Sequence, residues 1–197
     1  METPLLTTIL HENSIKYGSR NAIFYQAPDK NWVPITWTQL WTSIEDTAKA
    51  FLAHGVKPGD KVAIMSRNMP EWTISDYALQ LIRAVSVPMF AATSVAQARY
   101  MLNETESVLF LVGEQEQYDI ATQLVSQIPS LRKIIVFDAQ VNLQDNEFAS
   151  SFTDFQAMGR DGNWKEKLRA VSIEAQDEDL CTIIYTSGTT GAPKGVM

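Results

Sequence analysis

Val62-Ala-Ile-Met-Ser-Arg-Asn-Met-Pro-Glu-Trp-Thr-Ile-Ser-Asp-Tyr-Ala-Leu-Gln-Leu-Ile-Arg-Ala-Val-Ser-Val-Pro-Met89 is the stretch whose reading decides the fold. Its two ends, Val62 to Met65 and Val85 to Met89, are short and almost wholly apolar, as strands buried on both faces are. Between them Pro70 stands near a first helical turn, where a missing N–H costs nothing, and Ile74, Tyr77, Ala78, Leu81 and Ile82 fall on one helical face. The pattern continues with strands at Val108 to Val112 and Ile134 to Phe137, and with helices at Val95 to Glu104 and Glu114 to Gln127. Short apolar strands alternating with helices predict an α/β fold: a doubly wound, mostly parallel sheet flanked by helices, with right-handed crossovers.

Outward from this core the pattern changes. Residues 1–60 form a prelude, distinct from the 61–197 α/β core. In it Ala22 to Tyr25 and Trp32 to Thr36 read as a strand pair around the turn signals Pro28, Asp29 and Asn31. Thr38 is placed to cap a following helix, whose apolar set is Leu40, Ile44, Ala48, Phe51 and Leu52 and whose end is Gly55. Asp138 to Lys167 is polar and irregular; the expectation is a long, mobile loop carrying one or two short helices around Phe155 and Trp164. Asp177-Glu-Asp179 reads as a solvated strand entrance in preference to a metal site. Leu180-Cys-Thr-Ile-Ile-Tyr185 then reads as a buried strand, with Cys181 a packed small hydrophobe.

That strand runs into Thr186-Ser-Gly-Thr-Thr-Gly-Ala-Pro-Lys194. Gly188 and Gly191 let backbone approach an anion; Thr186, Ser187, Thr189 and Thr190 offer hydroxyl donors; Lys194 supplies a point charge. This is the composition of a polyphosphate-binding loop. A Walker A loop is excluded, because the position five after Gly188 is Pro193 rather than glycine. A dinucleotide fingerprint is excluded because Thr190 stands where its second glycine would be.

The nine residues Thr186 to Lys194, followed by Gly195-Val-Met197, resemble the signature loop of the adenylate-forming superfamily: acyl-CoA synthetases, luciferases and peptide-synthetase adenylation domains. Trp37-Thr-Gln-Leu40, Gly55 to Ile64, Asn68-Met-Pro-Glu-Trp72, Val85-Ser-Val-Pro88 and Ala98 to Asn103 follow in that family's order. Many members have a glycine before the Val-Pro strand, where this chain has Ala84. Glu71-Trp72 and Gly113-Glu-Gln-Glu-Gln-Tyr118 are most similar to long-chain fatty acyl-CoA synthetases.

The resemblance implies a two-step reaction: a carboxylate attacks the ATP α-phosphate to give an acyl-adenylate and pyrophosphate, then coenzyme A displaces AMP. It implies that Thr186, Ser187, Gly188, Thr189, Thr190, Gly191 and Lys194 bind the nucleotide, that Thr186 helps orient Mg²⁺, and that ATP, Mg²⁺ and coenzyme A serve the whole enzyme. The family places its adenine, acyl and coenzyme A sites and its catalytic lysine beyond Met197, so no catalytic residue is expected here and the 197 residues alone are expected to be inactive. Two other readings stay open: a non-enzymatic truncated binding or regulatory module, and a different adenylate-forming enzyme. The prelude's apolar residues Trp32, Trp37 and Phe51 are expected to lack a partner, which favours homo-oligomers through the N-terminal segment.

Bulk properties set limits. A net charge of −7 argues against a nucleic-acid partner, and 45% hydrophobic residues suffice for a sizeable core. One cysteine permits no internal disulfide, and His11 and His54 have no cysteine companions for zinc. The start, Met1-Glu-Thr-Pro4, lacks the features of a signal peptide, and the apolar stretch from Tyr77 to Ala92 is interrupted by Gln80, Arg83 and Pro88. The expectation is a cytoplasmic protein, its Asn103-Glu-Thr105 sequon unused, with peripheral membrane contact open for the whole enzyme.

Overall fold

The structure is a computed structural model, and it describes residues 4–27, 29–186 and 193–197. In chain order the elements are α1 (Leu6–Tyr17), β1 (Asn21–Gln26), β2 (Trp32–Thr36), α2 (Trp37–Ala53), β3 (Lys61–Met65), α3 (Pro70–Leu81), β4 (Val85–Met89), α4 (Val95–Thr105), β5 (Leu109–Val112) and α5 (Gln115–Leu124). There follow β6 (Lys133–Val136), β7 (Ala149–Ser151), α6 (Phe152–Asp161), α7 (Lys165–Ser172), β8 (Ile184–Thr186) and β9 (Lys194–Val196). Strands β4-β3-β5-β6-β7 form a sheet in that order, and every pairing in it is parallel.

Alternation along each strand divides the core into two layers. Val62, Ile64, Leu109, Leu111 and Ile135 face one way and pack with the apolar faces of α2, α3, α6 and α7. Ala63, Met65, Val87, Phe110, Val112 and Ile134 face the other way, against Ala98, Met101 and Leu102 of α4 and Tyr118, Ala121 and Leu124 of α5. Helices on both faces explain why the strands read as unbroken apolar runs. The predicted doubly wound fold is therefore the observed one.

Several local expectations change. The cap of α2 is Thr36, not Thr38: the Thr36 hydroxyl accepts from the Gln39 amide, and the Gln39 side chain accepts from the Thr36 amide. Reciprocal bonding satisfies two amides that one threonine could not, so the extended residue two earlier wins. Gly55 ends the helix with φ 75°, as expected. Phe51 does not lack a partner: it is fully buried, with its ring 5.1 Å from Phe155 in an edge-to-face contact. That partner comes from the segment expected to be a long, mobile loop with one or two short helices around Phe155 and Trp164; those helices are α6 and α7, and they pack on the core. Trp32 does remain 67% exposed, beside Phe24 on the outer face of the β1–β2 hairpin.

Helix α1 and strand β7 were not legible in the sequence. No residue of α1 is fully buried and no side chain caps it, and β7 is three residues of small, mostly polar character. Among the described residues, no helix is long and apolar enough to cross a membrane.

Candidate functional site: the hairpin at the carboxyl edge of the sheet

The segment before the phosphate-type loop joins the outer edge of β4. Thr182 bridges Ser86 in parallel; the Ser86 amide donates to the Cys181 carbonyl at 3.0 Å, and the Ile183 amide donates to the Ser86 carbonyl at 2.9 Å. This is one parallel bridge and not a full buried strand, and Cys181 is exposed, contrary to expectation. The reason is geometric. A segment at a sheet edge has a neighbour on one side only, and this one leaves β4 to pair with its own continuation.

Strands β8 and β9 make an antiparallel pair in which Ile184 faces Val196, Tyr185 faces Gly195 and Thr186 faces Lys194. Thr186 and Lys194, the outer members of the sequence motif, are thus brought opposite each other as the last pair of the hairpin. Ser187, Gly188, Thr189, Thr190 and Gly191, the other five candidate binding residues, lie outside the described residues. Gly195 has a packing reason: a Cβ there would come within 2.9 Å of Ile183 Cγ2 and 3.3 Å of the Tyr185 ring. The Tyr185 ring occupies the space a side chain would need.

Tyr185 ties the hairpin to α4. Its hydroxyl donates to Glu104 Oε2, while the Tyr100 hydroxyl donates to Glu104 Oε1 at 3.0 Å, and the two phenol rings meet edge to face at 6.3 Å. Burial, and after it the Glu104 carboxylate, push the Tyr185 phenol far above its ordinary range, so it remains a donor at any physiological pH. Sequence reading missed this pair of anchors. The available signal was the Tyr100–Glu104 spacing of four, which places both on one face of α4.

The strand order places the usual ligand crevice of such sheets between β3 and β5, where successive helices leave to opposite faces. Arg67 Nε pairs with Glu114 Oε1 at 3.0 Å across it, and a Cβ on Gly113 would lie 2.9 Å from Ser66 Oγ. The candidate phosphate site is instead the hairpin at the outer edge of β4.

Glu71, singled out in the sequence, lies in the first turn of α3. Its Oε2 is buried and has no hydrogen-bond partner among the described residues. Burial is the main cause that raises its pKa, with nearby Asp138 adding and Arg67 opposing. The folded state then holds a proton more tightly than the unfolded chain. The associated stability is present below the unfolded glutamate value and is lost as pH rises through the folded one. Glu71→Gln should therefore raise the unfolding temperature by about 2–5 °C at pH 7.5 and change it little at pH 4. Equal shifts at both pH values in thermal melts would contradict this.

Of the acidic trio, Asp177 and Glu178 are exposed, whereas Asp179 is half-buried and binds Arg83 at 2.8 Å, and the segment after it makes a single bridge in place of a full strand. No group of three or more His, Cys, Asp or Glu residues suited to a metal occurs among the described residues.

The comparisons with known proteins bear on this fold and hairpin together. The model of the AMP-binding enzyme family matches residues 10–197, and the chain belongs to that family. It is 28% identical over 191 residues to the long-chain-fatty-acid–CoA ligase ACSBG1 of Homo sapiens, covering 96% of this chain and 26% of that protein. It is 29% identical over 173 residues to the long-chain-fatty-acid–CoA ligase FadD15 of Mycobacterium tuberculosis, covering 88% and 28%. The chain thus spans about a quarter of the length of these relatives. Among solved structures, the A-PCP didomain of carboxylic acid reductase from Segniliparus rugosus in complex with AMP superposes with a TM-score of 0.78 at 22% identity, over 99% of this chain and 32% of that one. The anthranilate CoA ligase AuaEII in complex with anthranoyl-AMP gives 0.77 at 23% identity, over 96% and 33%. At such identities the structural likeness concerns the fold.

Proposed function

We propose that this chain is the N-terminal part of an ATP-dependent long-chain fatty acid–CoA ligase and supplies the grip on the β- and γ-phosphates of ATP. One observation carries the reading: the hairpin sets Thr186 opposite Lys194 at the two ends of a hydroxyl- and glycine-rich run. Charge builds on the departing pyrophosphate as a carboxylate attacks the α-phosphate. Donors fixed in advance stabilise that charge without reorganising, the largest single contribution in many such reactions. The matched relatives act on long-chain fatty acids by name, which supports the same acid class here.

Mg²⁺ belongs to the same proposal. Thr186 offers a neutral hydroxyl, which fits Mg²⁺ as one donor among phosphate oxygens and water; a carboxylate ligand would come from elsewhere in the whole enzyme. Coenzyme A is the expected thiol acceptor, and the cytoplasm the expected compartment. Peripheral membrane contact would suit a long-chain acid and belongs to the whole enzyme. In this reading the β1–β2 hairpin of the 1–60 prelude belongs to a second subdomain, while its helix α2 packs with the 61–197 core. The hairpin's exposed Phe24 and Trp32 then promote self-association of this chain, and a monodisperse monomer in light scattering at high concentration would refute that.

ATP–pyrophosphate exchange with a panel of fatty acids tests the central claim, using this chain and the protein extended through its downstream reading frame. Exchange in the extended protein alone is expected. A folded extended protein that exchanges with no acid would overturn the assignment.

A further inference from the structure

Arg83 follows the last turn of α3 with φ 61°, in the left-handed region. The Ala84 amide returns to the Leu79 carbonyl at 2.9 Å and the Arg83 amide to the Gln80 carbonyl at 3.0 Å, the pattern of a helix stop that favours glycine at this position. The glycine-favouring backbone thus falls at Arg83 and not at Ala84. An arginine here forgoes glycine's steric ease, so its side chain has to offset that disadvantage.

The guanidinium reaches across the chain. Nε donates to Asp179 Oδ2 at 2.8 Å, the second terminal nitrogen to Asp179 Oδ1 at 3.2 Å, and the first to Glu174 Oε2 at 3.1 Å. Asp179 is fixed further by the Gln176 amide at 3.1 Å, and this arginine holds its carboxyl below the ordinary range. Two residues beyond Asp179 begins the segment that meets β4 through a single bridge. With so little backbone pairing, side-chain contacts decide where the root of the hairpin lies.

We propose that Arg83 is a positioning residue: through its forked contact with Asp179 it fixes the strand that feeds Thr186, and so sets where Thr186 and its partner Lys194 stand relative to the sheet. The part of this inference that concerns ATP rests on the function proposed above; the part that concerns the strand does not.

Two arms separate them. In the first, hydrogen exchange is followed on this chain at the Ile183 amide, which donates to Ser86. Arg83→Met and Asp179→Asn should each speed exchange there by about fivefold, with the Phe110 and Leu111 amides of the central strand changed less than twofold. Arg83→Gly should show the same local loss while its thermal midpoint holds or rises, because glycine suits the left-handed backbone. Unchanged exchange at Ile183 in all three variants, or a uniform rise across the sheet, overturns the proposal.

In the second arm, Arg83→Met in the extended protein should raise the KM for ATP in pyrophosphate exchange by roughly fivefold, with a smaller effect on kcat. An unchanged KM beside a loosened Ile183 would overturn the positioning role. If the unsubstituted protein shows no exchange activity, the function fails, and the first arm decides the tie by itself.

Discussion

Replacing Gly159 with alanine should destabilise the chain by about 2 kcal/mol, although alanine is the better helix former by roughly 1 kcal/mol. Gly159 is where α6 crosses α2. A Cβ there would lie 2.5 Å from the Ala50 nitrogen and 2.6 Å from the Asp46 carbonyl oxygen, and both obstacles are backbone. Side chains can rotate away from an intruder, but a helix axis has to translate. Moving α6 outward would open the Phe51–Phe155 contact and stretch two polar ties, Gln156 Nε2 to Thr47 Oγ1 at 2.9 Å and Arg160 Nε to Asp46 Oδ2 at 2.7 Å. The clash therefore outweighs the propensity gain. Urea titration should show a lower midpoint with an unchanged slope; a midpoint equal to that of the parent chain would show that the helices separate at no cost.

Lys194→Ala should reduce ATP–pyrophosphate exchange by about 100-fold in the extended protein, with the fold intact. Lys194 is exposed at the start of β9, where it faces Thr186 across the strand pair. Its place opposite Thr186 puts one positive charge at the end of the hydroxyl- and glycine-rich run proposed to hold the departing pyrophosphate. Lys194→Arg should keep part of the activity, since charge survives while the compact ammonium does not. An alanine variant within threefold of the unsubstituted protein would remove lysine from the proposed mechanism.

The parallel core was legible because both of its signals are local. Val62 to Met65 and Val85 to Met89 are apolar without interruption, and the Ile74–Ile82 face repeats at helical spacing. The phosphate-type run was legible as a motif, and the structure sets its outer residues Thr186 and Lys194 opposite each other. What escaped the sequence depends on partners distant along the chain. Phe51 reads as unpartnered until α6 folds back over it. Cys181 reads as buried until the segment proves to be an edge with one neighbour. Glu104 is an ordinary surface acid of α4 until Tyr185 reaches it from 81 residues away. Arg83 reads in the sequence only as a charge interrupting an apolar stretch, because a backbone angle has no letter there.

The bridge between Thr182 and the β4 edge has a kinetic consequence. Ser86 and Cys181 are 95 residues apart, so their pairing closes one of the longest loops in the chain and is rewarded by few contacts. Sheet pairings β3–β4 and β5–β6 require much shorter closures and form first, since loop entropy must be met before a distant contact can return anything. The root of the hairpin is accordingly the last part of the sheet to zip and the first to unzip. On a ribosome, the sheet beneath it can assemble while the chain from Cys181 onward is still in the exit tunnel.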